Sequence, residues 1–229
     1  ISGNTITLSW NAAKGATRYY LKYGTGSNYE DVVWTSGSIT GTTYIVHKYL
    51  YFGIYDGDRA YYQYDFTTAA QSNLKSFYYF RNGEGFYWAG AAVVGDSVYF
   101  GGEGGYVFKR PIGDTFGSAT NTYAYLSGNA VRSSICYDGT NLYLTTNDAT
   151  LWKLSTDLQN KYSASLKDGT NDQYVQNASS TPVVSPSGYI YVGGYNIDWT
   201  TGAYKGALKA VDWSGSTAAV TTLWTSASN

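Results

Sequence analysis

A tyrosine inside a short apolar run, followed by glycine or small polar residues, recurs along this chain at nearly constant spacing. The four stretches are YLYFGIYD (49–56), SVYFGGEG (97–104), NLYLTTND (141–148) and GYIYVGGY (188–195). Their central residues Tyr51, Tyr99, Tyr143 and Tyr191 stand 48, 44 and 48 residues apart. A further 44 residues back from Tyr51 lies Thr7, in the strand-like TITLSW. A fixed period of this length constrains the fold strongly. One unit cannot bury its own apolar faces, so neighbouring units must stack.

Other landmarks keep the same order. After each B-type stretch comes a turn and a second strand, C: ATRYYLKY (16–23), RAYYQYDF (59–66), GYVFKRPI (105–112), ATLWKLST (149–156) and GALKAVDW (206–213). A third, D, follows: DVVWTSG (31–37), SFYYFRNG (76–83), TYAYLSG (122–128), YSASLKDG (162–169) and TTLWTSA (221–227). A fourth, A, precedes four of the five copies: TTYIVHK (42–48), AGAAVVGD (89–96), VRSSICYDG (131–139) and SSTPVVSPSG (179–188). Each unit therefore reads as four short strands separated by Gly, Asp, Asn and Ser turns. Units of this size packed face to face around an axis form a β-propeller. The expected fold is all-β, a β-propeller of about five four-stranded blades in one domain. The units are 1–40, 41–84, 85–129, 130–170 and 171–229, and the first lacks its innermost strand.

The last unit, STPVVSPSGYIYVGG followed by GALKAVDW and TLWTSAS, resembles the repeat of PQQ-like (quinoprotein-type) propellers. The match covers roughly residues 42–229 and fades towards the N-terminus. The resemblance implies the propeller fold. It does not select a function, because the same repeat serves cofactor-dependent dehydrogenases and non-enzymatic surface proteins. The N-terminal ITLSWNAAKGATRYYLKYGTG also resembles two strands of a fibronectin type III domain. The alternative reading thus makes residues 1–45 part of such a module, followed by propeller blades.

Composition agrees with β structure: 26 Tyr, 8 Phe and 7 Trp suit pleated surfaces, and 27 Gly suit tight turns. Charge is low and balanced, with 15 basic and 16 acidic residues, so no basic track exists for a phosphate backbone and nucleic acid is not expected as a partner. No apolar run approaches the roughly 20 residues of a membrane-spanning helix. Cys136 and His47 are the single cysteine and histidine, which leaves no zinc-type spacing. No nucleophile elbow, P-loop or dinucleotide fingerprint occurs. The expectation is no cofactor and no metal. The polar, tyrosine-rich, nearly Cys-free composition resembles that of extracellular or cell-surface proteins.

Blade topology sorts the candidate residues. Strands within a blade alternate in direction, so B–C turns and D–A connections share one end. That end collects Tyr55, Asp56 and Asp58, Glu103, Asn147 and Asp148, Asp198 and Trp199, together with Arg81, Trp88 and Arg132. It holds the longest loops, including NIDWTTGAYKG of the last unit, and loops on rigid scaffolds are where function concentrates. Trp199, Asp198, Trp88, Tyr55, Asp56, Asp58, Glu103, Asp148 and Arg81 are the candidate ligand-binding residues. The main reading is a non-catalytic binding or structural module of a secreted or cell-surface protein, presenting this face to a glycan or a protein. A polysaccharide-active enzyme using Asp56, Asp58, Glu103, Asp148 or Asp198 is the second reading. Self-association completed by a strand from a neighbour is the third.

Overall fold

A computed structural model describes residues 6–9, 22–24, 32–35, 43–46, 49–54, 60–65, 74–77, 85–86, 90–113, 122–167, 174–198 and 200–226. Every regular element among them is a β-strand, and every pairing given below is antiparallel. The chain divides into two compact units, Ile1–Leu50 with Tyr64–Asn73, and Tyr51–Gln63 with Leu74–Asn229.

In the larger unit the repeat appears as all-β propeller-type blades. Blade 3 comprises β8 (Ala92–Val94), β9 (Ser97–Gly101), β10 (Tyr106–Pro111) and β11 (Thr122–Tyr125). Blade 4 comprises β12 (Cys136–Tyr137), β13 (Asn141–Thr146), β14 (Thr150–Ser155) and β15 (Lys161–Ser165). Blade 5 comprises β16 (Val183–Val184), β17 (Ile190–Asp198), β18 (Ala203–Ser214) and β19 (Thr217–Thr225). In each, spatial order follows chain order, from strand A to strand D. A three-stranded sheet, blade 2, comes from β5 (Tyr49–Gly53), β6 (Tyr61–Asp65) and β7 (Leu74–Phe77).

The repeated tyrosine marks one side of every B strand. Tyr99 pairs with Ala92 and Lys109, Tyr143 with Cys136 and Lys153, and Tyr191 with Val183 and Ala210. Because side chains alternate along a strand, the flanking residues point the other way. Val98 and Phe100, Leu142 and Leu144, and Ile190 and Val192 all face the preceding blade, and all are buried.

Three apolar layers result. Tyr61 and Phe77 of blade 2 meet Val98, Phe100, Tyr106 and Phe108 of blade 3, with Phe86 from the connection. The Tyr61 ring stacks on Phe100 at 3.9 Å and 3°. Tyr99, Val107 and Ala124 of blade 3 meet Leu142, Leu144 and Leu154 of blade 4. Tyr143 and Leu151 of blade 4 meet Ile190, Val192, Ala207 and Val211 of blade 5. Burying a side chain of this size contributes about 1.5–3 kcal/mol.

The glycines after the tyrosine have a specific role. A Cβ on Gly101 would meet Val131 Cγ1 at 2.2 Å, and one on Gly194 would meet Val175 Cγ1 at 2.4 Å. In each case the D–A connection crosses there, and only glycine leaves room for its valine.

Pairing at the N-terminal end differs from the blade expectation. β1 (Ile6–Ser9) pairs with β4 (Thr43–Val46), and β2 (Lys22–Gly24) pairs with β3 (Val32–Thr35). TTYIVHK was expected as strand A of the second unit, but its residues 43–46 lie beside TITLSW, and blade 2 is left with three strands. The reason is that a four-residue alternating segment suits any free strand edge, and its own sequence does not choose between them.

Candidate functional site

The B–C end of blades 3 to 5 is built from short turns and crossing connections. β9 and β10 are joined through Gly102–Gly105, with Gly102 N donating to Tyr106 O at 3.0 Å and Gly105 at φ 81°. β13 and β14 are joined by Asn147–Ala149, with Ala149 at φ 62°. The last residue of each turn takes the left-handed conformation. The D strands of blades 3 and 4 bond back to these turns, Leu126 N donating to Gly105 O and Leu166 N to Ala149 O, while in blade 5 Ser226 N donates to Gly206 O within β18.

Glu103 lies on the blade 3 turn, and the structure pairs it with Arg132 on the connection entering blade 4. Arg132 Nε donates to Oε1 at 3.0 Å and to Oε2 at 3.1 Å, and its Nη2 donates to Oε2 at 2.7 Å. The Glu103 side chain is 16% exposed and that of Arg132 38%. Such a fork fixes both planes and consumes the carboxylate. Glu103 N also donates to Gly85 O, which anchors the preceding connection.

Asp148 belongs to a second network. Its Oδ2 accepts from Asn129 Nδ2 at 3.0 Å and its Oδ1 from Thr146 Oγ1 at 2.6 Å, while Thr146 Oγ1 accepts from Trp152 Nε1 at 3.0 Å. The neighbouring Asn147 Oδ1 is shielded from solvent and accepts no bond.

Asp198 closes the turn between β17 and β18. Its Oδ1 accepts from Thr200 N at 2.9 Å and Thr201 N at 3.4 Å, and its Oδ2 from Thr201 Oγ1 at 2.8 Å. The Thr201 hydroxyl, then the Thr200 N–H, hold this exposed carboxyl below its ordinary range, with Lys205 adding to them.

The segment NIDWTTGAYKG, expected as a long loop, is largely ladder: Asn196, Ile197 and Asp198 pair with Lys205, Tyr204 and Ala203. From Tyr143 to the end of β13 is three residues, and from Tyr191 to the end of β17 is seven. Blade 5 therefore carries its B–C hairpin four residue pairs further, an arm about 13 Å longer than its neighbour's. Tyr204 on the arm is 73% exposed and Tyr195 38%. Lys205 Nζ lies 5.9 Å from the centroid of the Tyr174 ring. The alternation of N-I-D and A-Y-K around TTG is the signal that would have identified the arm.

Of the candidate residues, Glu103, Asp148 and Asp198 are placed at this end, in three separate hydrogen-bonded settings. Trp199, Trp88, Tyr55, Asp56, Asp58 and Arg81 lie outside the described residues. The Glu103–Arg132 pairing joins positions 29 apart in sequence, and no local pattern announces it. Among the described residues, no group of three or more His, Cys, Asp or Glu side chains could hold a metal ion.

No family model matches the chain, and no curated protein matches it. Among solved structures, BamB from Moraxella catarrhalis aligns over 98% of this chain and 79% of its own, with TM-score 0.45 and 14% identity. A complex of S. cerevisiae Dbp5 with Nup159, Gle1, IP6 and ADP aligns over 86% of this chain, with TM-score 0.45 and 13% identity. The chain spans half the length of that second structure. At these scores the fold rests on the strand pairing itself.

Proposed function

We propose that the chain is a non-catalytic binding module of a cell-surface protein, which holds a glycan or protein surface at its B–C end. The carrying observation is the blade 5 arm, which stands proud of the neighbouring blade's turn and carries an exposed tyrosine. Tyrosine supplies a broad amphipathic contact at small entropic cost, and it stacks on sugars as readily as on protein. A rigid two-stranded arm braced at its base loses little freedom on binding.

Among the described residues, the candidate carboxylates Glu103, Asp148 and Asp198 support binding over hydrolysis. Glycoside cleavage needs one acid held protonated near neutral pH and a second free to attack or to activate water. Glu103 is forked by Arg132, Asp148 accepts from two side chains, and Asp198 is held low by its own turn.

The test shortens the arm. Residues 196–205 are replaced by Asn-Gly, which closes β17 on β18 at the Tyr195–Gly206 pair and suits a two-residue hairpin turn. The expected outcome is a folded chain that loses its hits on a glycan array, or its surface-protein partner in a pull-down. Tyr204→Ala is expected to weaken binding at least about tenfold, and Trp199→Ala and Trp88→Ala are screened beside it. Full binding by the shortened chain overturns the proposal, as does reducing-sugar release that Glu103→Gln or Asp148→Asn abolishes.

A further inference from the structure

The chain holds a single Asn-X-Ser/Thr sequence, Asn177-Ala178-Ser179, and its middle residue is not proline. That tripeptide is the acceptor signal for N-linked sugar. It lies on the connection that enters blade 5, at the end of the blades that carries the arm. In sequence it is only a short match. The structure adds what an acceptor requires, a side-chain amide that the fold leaves unused.

Other described asparagines are committed. Asn129 Nδ2 donates to Asp148 Oδ2 at 3.0 Å and to Ser127 Oγ at 3.3 Å, and the Asn141 side chain bonds to Asp138. Asn177 is half-buried, and its amide makes no hydrogen bond among the described residues. Ser179, which completes the signal, is exposed, and its hydroxyl makes none either. The residue across the ladder suits a sugar. Asn177 pairs directly with Tyr195: Asn177 N donates to Tyr195 O at 2.8 Å, and Tyr195 N donates to Asn177 O at 2.9 Å. Residues opposite one another in such a pair carry their side chains on the same face, with Cβ atoms ~5 Å apart. The amphipathic Tyr195 ring therefore lies beside the acceptor, placed for a first sugar to pack against it. Asn177 sits on the crossing at the end of the blade, not on the broad face of β18 and β19.

We propose that Asn177 is an N-glycosylation acceptor, modified before blade 5 closes. In the transfer, Nδ2 attacks the anomeric carbon of an oligosaccharide carried on a lipid pyrophosphate. The N–C bond forms, the C–O bond to phosphate breaks and the pyrophosphate leaves with its electron pair. The displaced amide proton passes to a base of the transferase. The timing follows from burial. Ala178 is 0% exposed, and the main chain of Asn177 is bonded to Tyr195 on both sides, so the folded tripeptide is not free to enter a transferase cleft. The inference rests on the surface location proposed above, and not on binding by the arm.

Mass spectrometry of the chain recovered from its own cells, fraction by fraction, is the test. The expected result is a sugar adduct on the tryptic peptide 168–205, with fragment ions that place it on Asn177. Asn177→Gln and Ser179→Ala should each abolish the adduct, with unchanged far-ultraviolet circular dichroism. The arm-shortened chain keeps Asn177 and Tyr195 and should keep the adduct. In microsomes supplied with lipid-linked oligosaccharide, the urea-unfolded chain should be modified on dilution and the folded chain should not. Chain found outside the cell or in its envelope with Asn177 bare overturns the inference and leaves the surface reading standing. Chain confined to the cytosol overturns both. An adduct that survives Ser179→Ala also overturns the inference, as does equal modification of folded and unfolded chain.

Discussion

Asp138 shows how much one turn residue can organise. Its Oδ1 accepts from Asn141 N at 2.6 Å and Thr140 N at 2.7 Å, and its Oδ2 accepts from the Tyr143 hydroxyl at 2.9 Å. Partial burial pushes this carboxyl up, but the N–H groups of Asn141 and Thr140 and the Tyr143 hydroxyl more than offset it and hold the group below its ordinary value. Burial first, and then Asp138, push the Tyr143 hydroxyl the other way, well above its usual range. With the folded pKa below the unfolded one, the stabilisation is present above the unfolded value of about 3.9 and is lost as pH falls through the folded value. Asp138→Asn should therefore flatten the acid limb of stability below about pH 4. Urea midpoints measured from pH 2 to 7 check this, and an unchanged slope would count against it. Asp138-Gly139 reads as a turn from sequence; the third bond, to Tyr143, needs the hairpin already formed.

At the scale of the strand, the period-2 pattern does most of the work. Apolar residues at Leu142 and Leu144 face one blade while Tyr143 faces the other, so both sides of β13 are buried and its run is continuous. Ties between blades are polar and uneven. Thr156 O receives both Lys109 Nζ at 3.0 Å and the Tyr99 hydroxyl at 2.7 Å, whereas Lys153 Nζ makes a single bond of 3.3 Å in a more exposed place. Lys109→Met is expected to cost about 1 kcal/mol and Lys153→Met close to nothing, read from denaturant midpoints of the two variants. Equal costs would mean the ties are decorative. The B and C strands of blades 2 to 5 were legible because alternation and turn residues repeat in them. The arm of β17 and β18 was less so, since Thr-Thr-Gly inside polar residues reads as loop until the opposing strand is seen.

Among the described residues of the larger unit, each blade shares an apolar layer only with its neighbours, so stability should behave as a chain of nearest-neighbour terms. Leu151 lies wholly within the layer between blades 4 and 5. Leu151→Ala should cost about 2–5 kcal/mol. It should also speed amide hydrogen exchange in β12–β19 well before β5–β7 respond. Uniform acceleration across all four sheets would argue for a single indivisible core instead. At the same scale, the N-terminal ladders were misread because a short strand's partner depends on which edges are free, and that depends on everything else in place.

The sequence by itself determined the class and the repeat. Alternating side chains, turn residues and a tyrosine every 44–48 positions leave few ways to bury so much aromatic surface. It also marked which end of the blades carries Glu103, Asp148 and Asp198, because strand direction alternates. Only the tertiary structure decided that Glu103 is forked by Arg132, that β4 lies beside β1, and that the last blade lifts an arm and exposes Trp224. The first two are pairings between residues distant in the chain, and the last depends on how far the β17–β18 ladder runs and on what packs against it. A periodic sequence fixes what faces which way within a strand, but not which neighbour is waiting there.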